Sequence, residues 1–158
     1  SMFMKILVCV DLSKSTTAVV SYAKTLAQSL SARVCLLHVT DSQEEMVGYG
    51  GVFGEFPVYI DPKELRQDIA QRFRAEHQQM QQLSQQLQAD GLDCLGLLVN
   101  GTSIVGSIIK EAEKLAADMV IVGSQHKGLW SQLVEGSTSK SLIAHANVPV
   151  LVLPIAAE

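Results

Sequence analysis

Residues 4–10 read MKILVCV and run directly into Asp11-Leu12-Ser13-Lys14-Ser15. The stretch is strand-length, and its apolar residues do not alternate with polar ones. A strand with one wet face would alternate. A continuous Val/Ile/Leu-rich run is a strand covered on both faces, as in a parallel sheet flanked by helices. Four more runs of this kind follow: Arg33–Val39 (RVCLLHV), Cys94–Val99 (CLGLLV), Met119–Val122 (MVIV) and Val148–Leu153 (VPVLVL).

The segments between them step by three and four, the spacing of one helix face. Val19, Tyr22, Ala23, Leu26, Ala27 and Leu30 form a first stripe. Ile69, Phe73, Met80, Leu83 and Leu87 form a second. Ile104, Ile108, Ala112 and Leu115 form a third, and Leu142, Ile143 and Ala146 a short fourth. Strands alternating with helices predict an α/β fold: a single doubly wound, five-stranded parallel sheet flanked by helices, with right-handed crossovers. The glutamine-rich stretch 78–88 reads as the solvated face of the second helix, because Met80, Leu83 and Leu87 interrupt it at helical spacing. The one long irregular segment, Asp41–Ile60, carries Gly48, Gly50, Gly51, Gly54 and Pro57. A loop of that length in a compact domain is often functional. Ligand occupancy is expected to order it and protect it from proteolysis.

Composition agrees with one domain over residues 2–158; Ser1, before Met2, reads as an added residue and is set aside. Of the 158 residues, 47% are hydrophobic and 18% charged, which excludes a disordered chain. Net charge is −4 and pI about 5.5, so a nucleic-acid binder, typically basic, is disfavoured. No apolar run reaches the ~18 residues of a membrane span and no signal-peptide pattern opens the chain, so a cytoplasmic location is expected. Cys9, Cys35 and Cys94 are odd in number and lack metal-ligand spacing. They read as buried, unreactive thiols.

In an open α/β sheet, ligands bind beyond the carboxyl ends of the strands, where strand order reverses. Those ends carry the polar groups: Asp11, Ser13 and Ser15; His38, Thr40 and Asp41; Asn100, Gly101, Thr102 and Ser103; Gly123, Ser124, His126, Lys127 and Gly128. Residues 123–142 read GSQHKGLWSQLVEGSTSKSL. Gly136-Ser137-Thr138 opens the last helix, and the free N–H groups there attract anions such as phosphate. Ordinary turn and cap chemistry explains the same residues. Ser13 and Ser15 serve equally as caps of the first helix. His38 either reaches the site or is a hydrogen-bonded core histidine. His77 and His145 read as solvated, and Trp130 as a packing residue or a lid. No G-x-G-x-x-G, P-loop or G-x-S-x-G motif is present, which removes dinucleotide-binding, P-loop and α/β-hydrolase readings.

These residues together resemble the universal stress protein family, a Rossmann-like fold of the adenine nucleotide alpha hydrolase type. The resemblance spans Met4–Pro154. It rests on KILVCVDLS, on His38-Val39, on the stretch from Asp118 to Ser124 and on the closing stretch from Asn147 to Pro154. Nucleotide-binding members carry G-x2-G-x9-G-[S/T]; here Gly123, Gly136 and Ser137 match, and His126 replaces the middle glycine. The resemblance implies that Val10, Val39 and Val122 line an adenine pocket, with Asp11 at its mouth and Ser13 a weaker candidate. Gly101 would pass close to the nucleotide and Gly123 would meet ribose or the first phosphate. Gly136, Ser137 and Thr138 would hold the distal phosphates. His126 either blocks phosphate or joins Lys127 and Gly128 in contacting it.

The implied cofactor is ATP or AMP, with Mg²⁺ near Asp11 as an option. The implied function is a stress-response nucleotide-binding module, with slow ATPase activity at most. A dimeric interaction protein without ATP binding is the alternative, and an enzyme of the wider superfamily fits less well. An uncharged final strand, Val148–Leu153, predicts a homodimer through a bare sheet edge.

Overall fold

The computed structural model describes residues 3–40, 52–53, 56–57, 62–124, 126 and 146–155. Its elements in chain order are β1 (Lys5–Cys9), α1 (Thr16–Leu30), β2 (Arg33–Thr40), β3 (Val52–Phe53), β4 (Phe56–Pro57), α2 (Pro62–Ala89), β5 (Cys94–Asn100), α3 (Ile104–Leu115), β6 (Met119–Gly123) and β7 (Val150–Leu153). The five long apolar runs are the five strands of one parallel sheet, ordered β5-β2-β1-β6-β7. Register pairs Leu7 with Cys35 on one side of β1 and with Val120 on the other. Asp118 reinforces the start of β6: its carboxylate accepts from the Lys5 N–H at 2.8 Å, and its own N–H donates to the Lys5 carbonyl at 2.8 Å.

The strands divide their side chains between two cores, as their period of two requires. Ile6, Val8, Val10, Val34, Leu36 and Ile121 pack with Val19, Ala23 and Ala27 of α1 and with Met80 and Leu87 of α2. Leu7, Cys9, Leu37, Val39, Val120 and Val122 pack with Val105, Ile108 and Ala112 of α3. Continuous hydrophobicity is therefore explained for the central strands. At the edges it is not: Leu95 on β5, and Val150 and Val152 on β7, are exposed.

Three sequence expectations change in detail. In α1, Tyr22 and Leu30 lie exposed beside the buried stripe of Val19, Ala23 and Ala27. In α2, Phe73 is 38% exposed, and the buried stripe runs instead through Arg72 and Glu76. Within the segment expected to be irregular, Val52 pairs with Pro57 and Phe53 with Phe56 as a short antiparallel ladder. The rest of 41–61, and Leu142 and Ile143 of the expected last helix, lie outside the described residues; Ala146, the third residue of that stripe, is described and is not helical. The glutamines from Gln78 to Gln88 are exposed, as the solvated face required.

Candidate functional site

The connections from β1 to β2 and from β5 to β6 leave the sheet on opposite sides, so strand order reverses between β1 and β6. This is where an open α/β sheet leaves a crevice at its carboxyl edge. Continuing the register of Val8 with Ile121 brings Val10 beside Gly123 across that crevice.

On the β1 side the chain turns sharply. Leu12 adopts φ 58°, a left-handed conformation that costs a residue with a β-carbon about 1–2 kcal/mol. Packing of its side chain against the α1–α2 core offsets that cost. The turn folds Ser13 back onto Asp11. The carboxylate Oδ1 accepts from the Ser13 N–H at 3.0 Å, the Ser13 hydroxyl at 2.6 Å and the Ser15 hydroxyl at 3.5 Å. The Ser13 hydroxyl in turn accepts from the Ser15 N–H at 3.3 Å. Ser15 stands at the N-cap of α1 without a side-chain cap bond, so its expected capping role falls to the Ser13 side chain and carbonyl.

On the β6 side, the Ser124 N–H donates to the Leu153 carbonyl at 2.8 Å, and its Oγ accepts from the Ile155 N–H at 2.8 Å. The His126 N–H donates to the Gly123 carbonyl at 3.1 Å, closing a turn in which His126 is 8% exposed. Gly123 is not required by its φ. A β-carbon there would lie 3.0 Å from Val19 Cγ2 and 3.3 Å from Ile155 Cγ1, so close helix-on-strand packing explains the glycine. Gly101 donates its N–H to the Thr40 carbonyl at 3.0 Å, and a β-carbon there would run into the Ser107 hydroxyl. Ser103 caps α3, accepting from the Gly106 N–H at 3.0 Å.

The structure thus gathers Asp11, Ser13, Gly123 and His126 at the ends of the two strands that flank the crevice. Val39 and Gly101 lie one strand further out. The side chains of Val10 and Val39 point to opposite cores, Val10 with α1 and α2, Val39 and Val122 with α3. Lys127, Gly128, Gly136, Ser137, Thr138, Trp130 and His145 lie outside the described residues. His77 is exposed on α2. Among the described residues, no three His, Cys, Asp or Glu side chains gather as a metal site would.

One constellation escaped the sequence reading. His38 on β2 has Nδ1 2.9 Å from the Val10 carbonyl and Nε2 2.6 Å from Glu76 Oε2. Thr40 donates its hydroxyl to Glu76 Oε1 at 3.2 Å and accepts from Arg72 Nη2 at 3.3 Å. Arg72 Nε lies 3.2 Å from Glu76 Oε1. Positions 65, 69, 72, 76, 80, 83 and 87 step by three and four, so the signal was available: a charged pair sitting on the buried stripe of α2.

All three thiols are free. Burial pushes Cys35 up to about 12 and Cys94 to about 11, and it raises Cys9 further, with Cys35 adding to the effect there. They are poor nucleophiles.

The model of the universal stress protein family matches residues 2–154. Universal stress protein A of Photorhabdus laumondii is 27% identical over 95% of this chain and 94% of its own. A universal stress protein of Methanocaldococcus jannaschii is 25% identical over 96% of this chain and 95% of its own. The structure solved for that archaeal protein superposes with a TM-score of 0.73 at 23% identity, covering 100% of both chains. Two further structures of similar fold are a universal stress protein in complex with cAMP and one from Archaeoglobus fulgidus in complex with dAMP. Their TM-scores are 0.62 and 0.57, at 15% and 18% identity, covering 98% and 96% of this chain and 98% of each of theirs. Among the described residues, no helix is long and apolar enough to cross a membrane.

Proposed function

The chain belongs to the universal stress protein family, and from that premise we propose that it is an adenine-nucleotide-binding regulatory module of the stress response. The nucleotide sits at the carboxyl ends of β1 and β6. The observation that carries this reading is the Asp11 turn: a carboxylate held by two serine hydroxyls and a backbone N–H, at the switch point of the sheet. A carboxylate so fixed is a preorganised acceptor for a ribose hydroxyl or an adenine amino group. Two proteins of the same fold, solved with cAMP and dAMP, support an adenine nucleotide as the ligand.

In this reading Val10, Asp11, Val39 and Gly101 meet the nucleoside and Gly123 the ribose or first phosphate. His126, Lys127, Gly128, Gly136, Ser137 and Thr138 face the phosphates. ATP or AMP is the ligand. Asp11 and the phosphates would hold Mg²⁺ if it accompanies ATP, and the metal would there neutralise phosphate charge. Asp11 Oδ1 already accepts from three donors, so the residue is suited to orienting a ligand rather than to activating water, and turnover is at most slow. The module works as a cytoplasmic homodimer through β7, whose Val150 and Val152 side chains are exposed at the sheet edge.

The buried His126 in place of a glycine favours a second reading, a dimeric interaction protein that binds no ATP. One experiment separates them. The purified protein is denatured and the supernatant assayed for adenine nucleotide; the emptied protein is then titrated calorimetrically with AMP, cAMP and ATP–Mg²⁺. Binding of at least one at micromolar affinity supports the first reading, and no heat from any supports the second.

A further inference from the structure

We infer that His38 is a positioning residue for the nucleotide site: Glu76 on α2 fixes its ring, and the ring fixes the Val10 carbonyl from which the Asp11 turn departs. The inference rests on the site proposed above and adds to it a part played by α2.

The β1–β2 ladder ends at Cys9 paired with Leu37. Val10 still donates its N–H to the Leu37 carbonyl at 2.9 Å. Val10 is buried, and a buried carbonyl needs a donor. His38 supplies it: a carbonyl only accepts, so Nδ1 carries the proton across the 2.9 Å contact. The other ring nitrogen lies 2.6 Å from Glu76 Oε2, an ion pair when the ring carries a proton on both nitrogens, and the two side chains are only 12% and 13% exposed. With both nitrogens engaged, the imidazole has no nitrogen left to act as base or metal ligand. Its remaining capacity is to hold. Glu76 is itself oriented by Arg72 at 3.2 Å and by the Thr40 hydroxyl at 3.2 Å. The chain of contacts runs from the buried stripe of α2, through one carboxylate and one imidazole, to the residue preceding Asp11. Leu12, at φ 58°, is the next residue of that turn, so the turn is held at its base by His38 and at its far side by core packing.

The test compares AMP binding by calorimetry with stability by urea unfolding in three variants. In His38→Asn the amide N–H takes the place of Nδ1–H, and AMP affinity stays within about threefold of wild type. His38→Leu removes both bonds, and its affinity falls at least tenfold in the folded protein. Glu76→Gln keeps an acceptor but loses the charge, and its affinity falls about three- to tenfold. A purely structural histidine would lower stability in all three and leave the affinity of the folded fraction unchanged, which would overturn the inference. If His38→Leu does not fold, unchanged affinity in Glu76→Gln overturns it equally. Should the wild-type protein bind no AMP, the proposed function fails on its own. The positioning is then read in the ligand-free protein from the backbone amide resonances of Leu12 and Ser13. They move in Glu76→Gln if the contact chain holds the turn; unmoved resonances refute it.

Discussion

The Asp11 carboxylate and the Ser13 hydroxyl are joined at 2.6 Å, the shortest of the three bonds that Oδ1 accepts within one turn. A hydroxyl donating to a charged oxygen is stronger than a neutral pair, roughly 1.5–3 kcal/mol when partly buried. Asp11→Ala should therefore lower unfolding free energy by about 2 kcal/mol in urea titrations. It should weaken AMP binding at least tenfold. Asp11→Asn keeps the Oδ1 acceptor, so its stability should fall by less than about 1 kcal/mol while binding still weakens. Equal AMP affinity in wild type and Asp11→Ala would remove Asp11 from the site.

Gly123 sits at the crevice, but its missing side chain serves the core behind it. The β-carbon of Gly123→Ala would press on Val19 Cγ2 at 3.0 Å, and a β-branched valine has few rotamers with which to yield. Overpacking of this kind costs about 1–3 kcal/mol. Val19→Ala in the same chain should recover part of that loss, a coupling readable by a double-mutant cycle of urea unfolding. Strict additivity would show that the two residues do not press on each other.

The strands and helix stripes were legible in the sequence because burial on both faces leaves an unbroken apolar run, and strand and helix periods differ. The turn at Leu12 was not, since leucine gives no sign of a left-handed φ in the way glycine or asparagine does. Phe73 drew the α2 stripe off by one residue; the face that is buried carries Arg72 and Glu76. Charged residues on a stripe look like a break in it until a partner is known. Their partners, His38 and Thr40, lie more than thirty residues away in sequence. The glycines were legible as glycines, but not for their reason: Gly101 and Gly123 are small because Ser107 and Val19 occupy the space of a β-carbon.

The thiols give a pH dependence whose sign is fixed. Burial raises Cys35 from 9.0 to about 12 and Cys94 from 9.0 to about 11. Above pH 9 the unfolded chain loses these protons while the folded chain keeps them, so unfolding is favoured as pH rises. The contribution is complete below pH 9 and is lost towards pH 11–12. Urea unfolding at pH 8 and pH 10.5 should show a decline that is smaller in the Cys9→Ala/Cys35→Ala/Cys94→Ala protein. At pH 8, labelling of the native thiols by an aromatic disulfide should be far slower than labelling in urea. Rapid native labelling would contradict the buried, protonated state.

The edge strand β7 leaves Val150 and Val152 43% and 40% exposed on one face, an apolar edge with no charge to discourage pairing. The wild-type chain should run as a dimer by light scattering at micromolar concentration. Val152→Asp should shift it to the monomer, since like charges would meet across a two-fold axis. The same variant should leave AMP affinity within about twofold if the site is built within one chain. A wild-type monomer would end the dimer reading, and a loss of AMP binding on dissociation would place a partner's residue in the site.

His126 decides between the two functional readings. Its N–H donates to the Gly123 carbonyl at 3.1 Å, and the residue is 8% exposed. A packed side chain contributes to stability, and glycine in its place adds unfolded-state entropy, so His126→Gly should cost about 1–2 kcal/mol in urea unfolding. As a residue facing the distal phosphates it should matter to ATP more than to AMP: ATP affinity should fall about three- to tenfold, and AMP affinity should stay within about threefold of wild type. The comparison of the two nucleotides carries the test, since they share the nucleoside and differ only in the distal phosphates. A histidine that blocks phosphate would give a protein that binds AMP but not ATP, and His126→Gly would then raise ATP affinity tenfold or more while leaving AMP unchanged. That outcome would make this chain an AMP-selective member of its family, with a single side chain setting the selectivity.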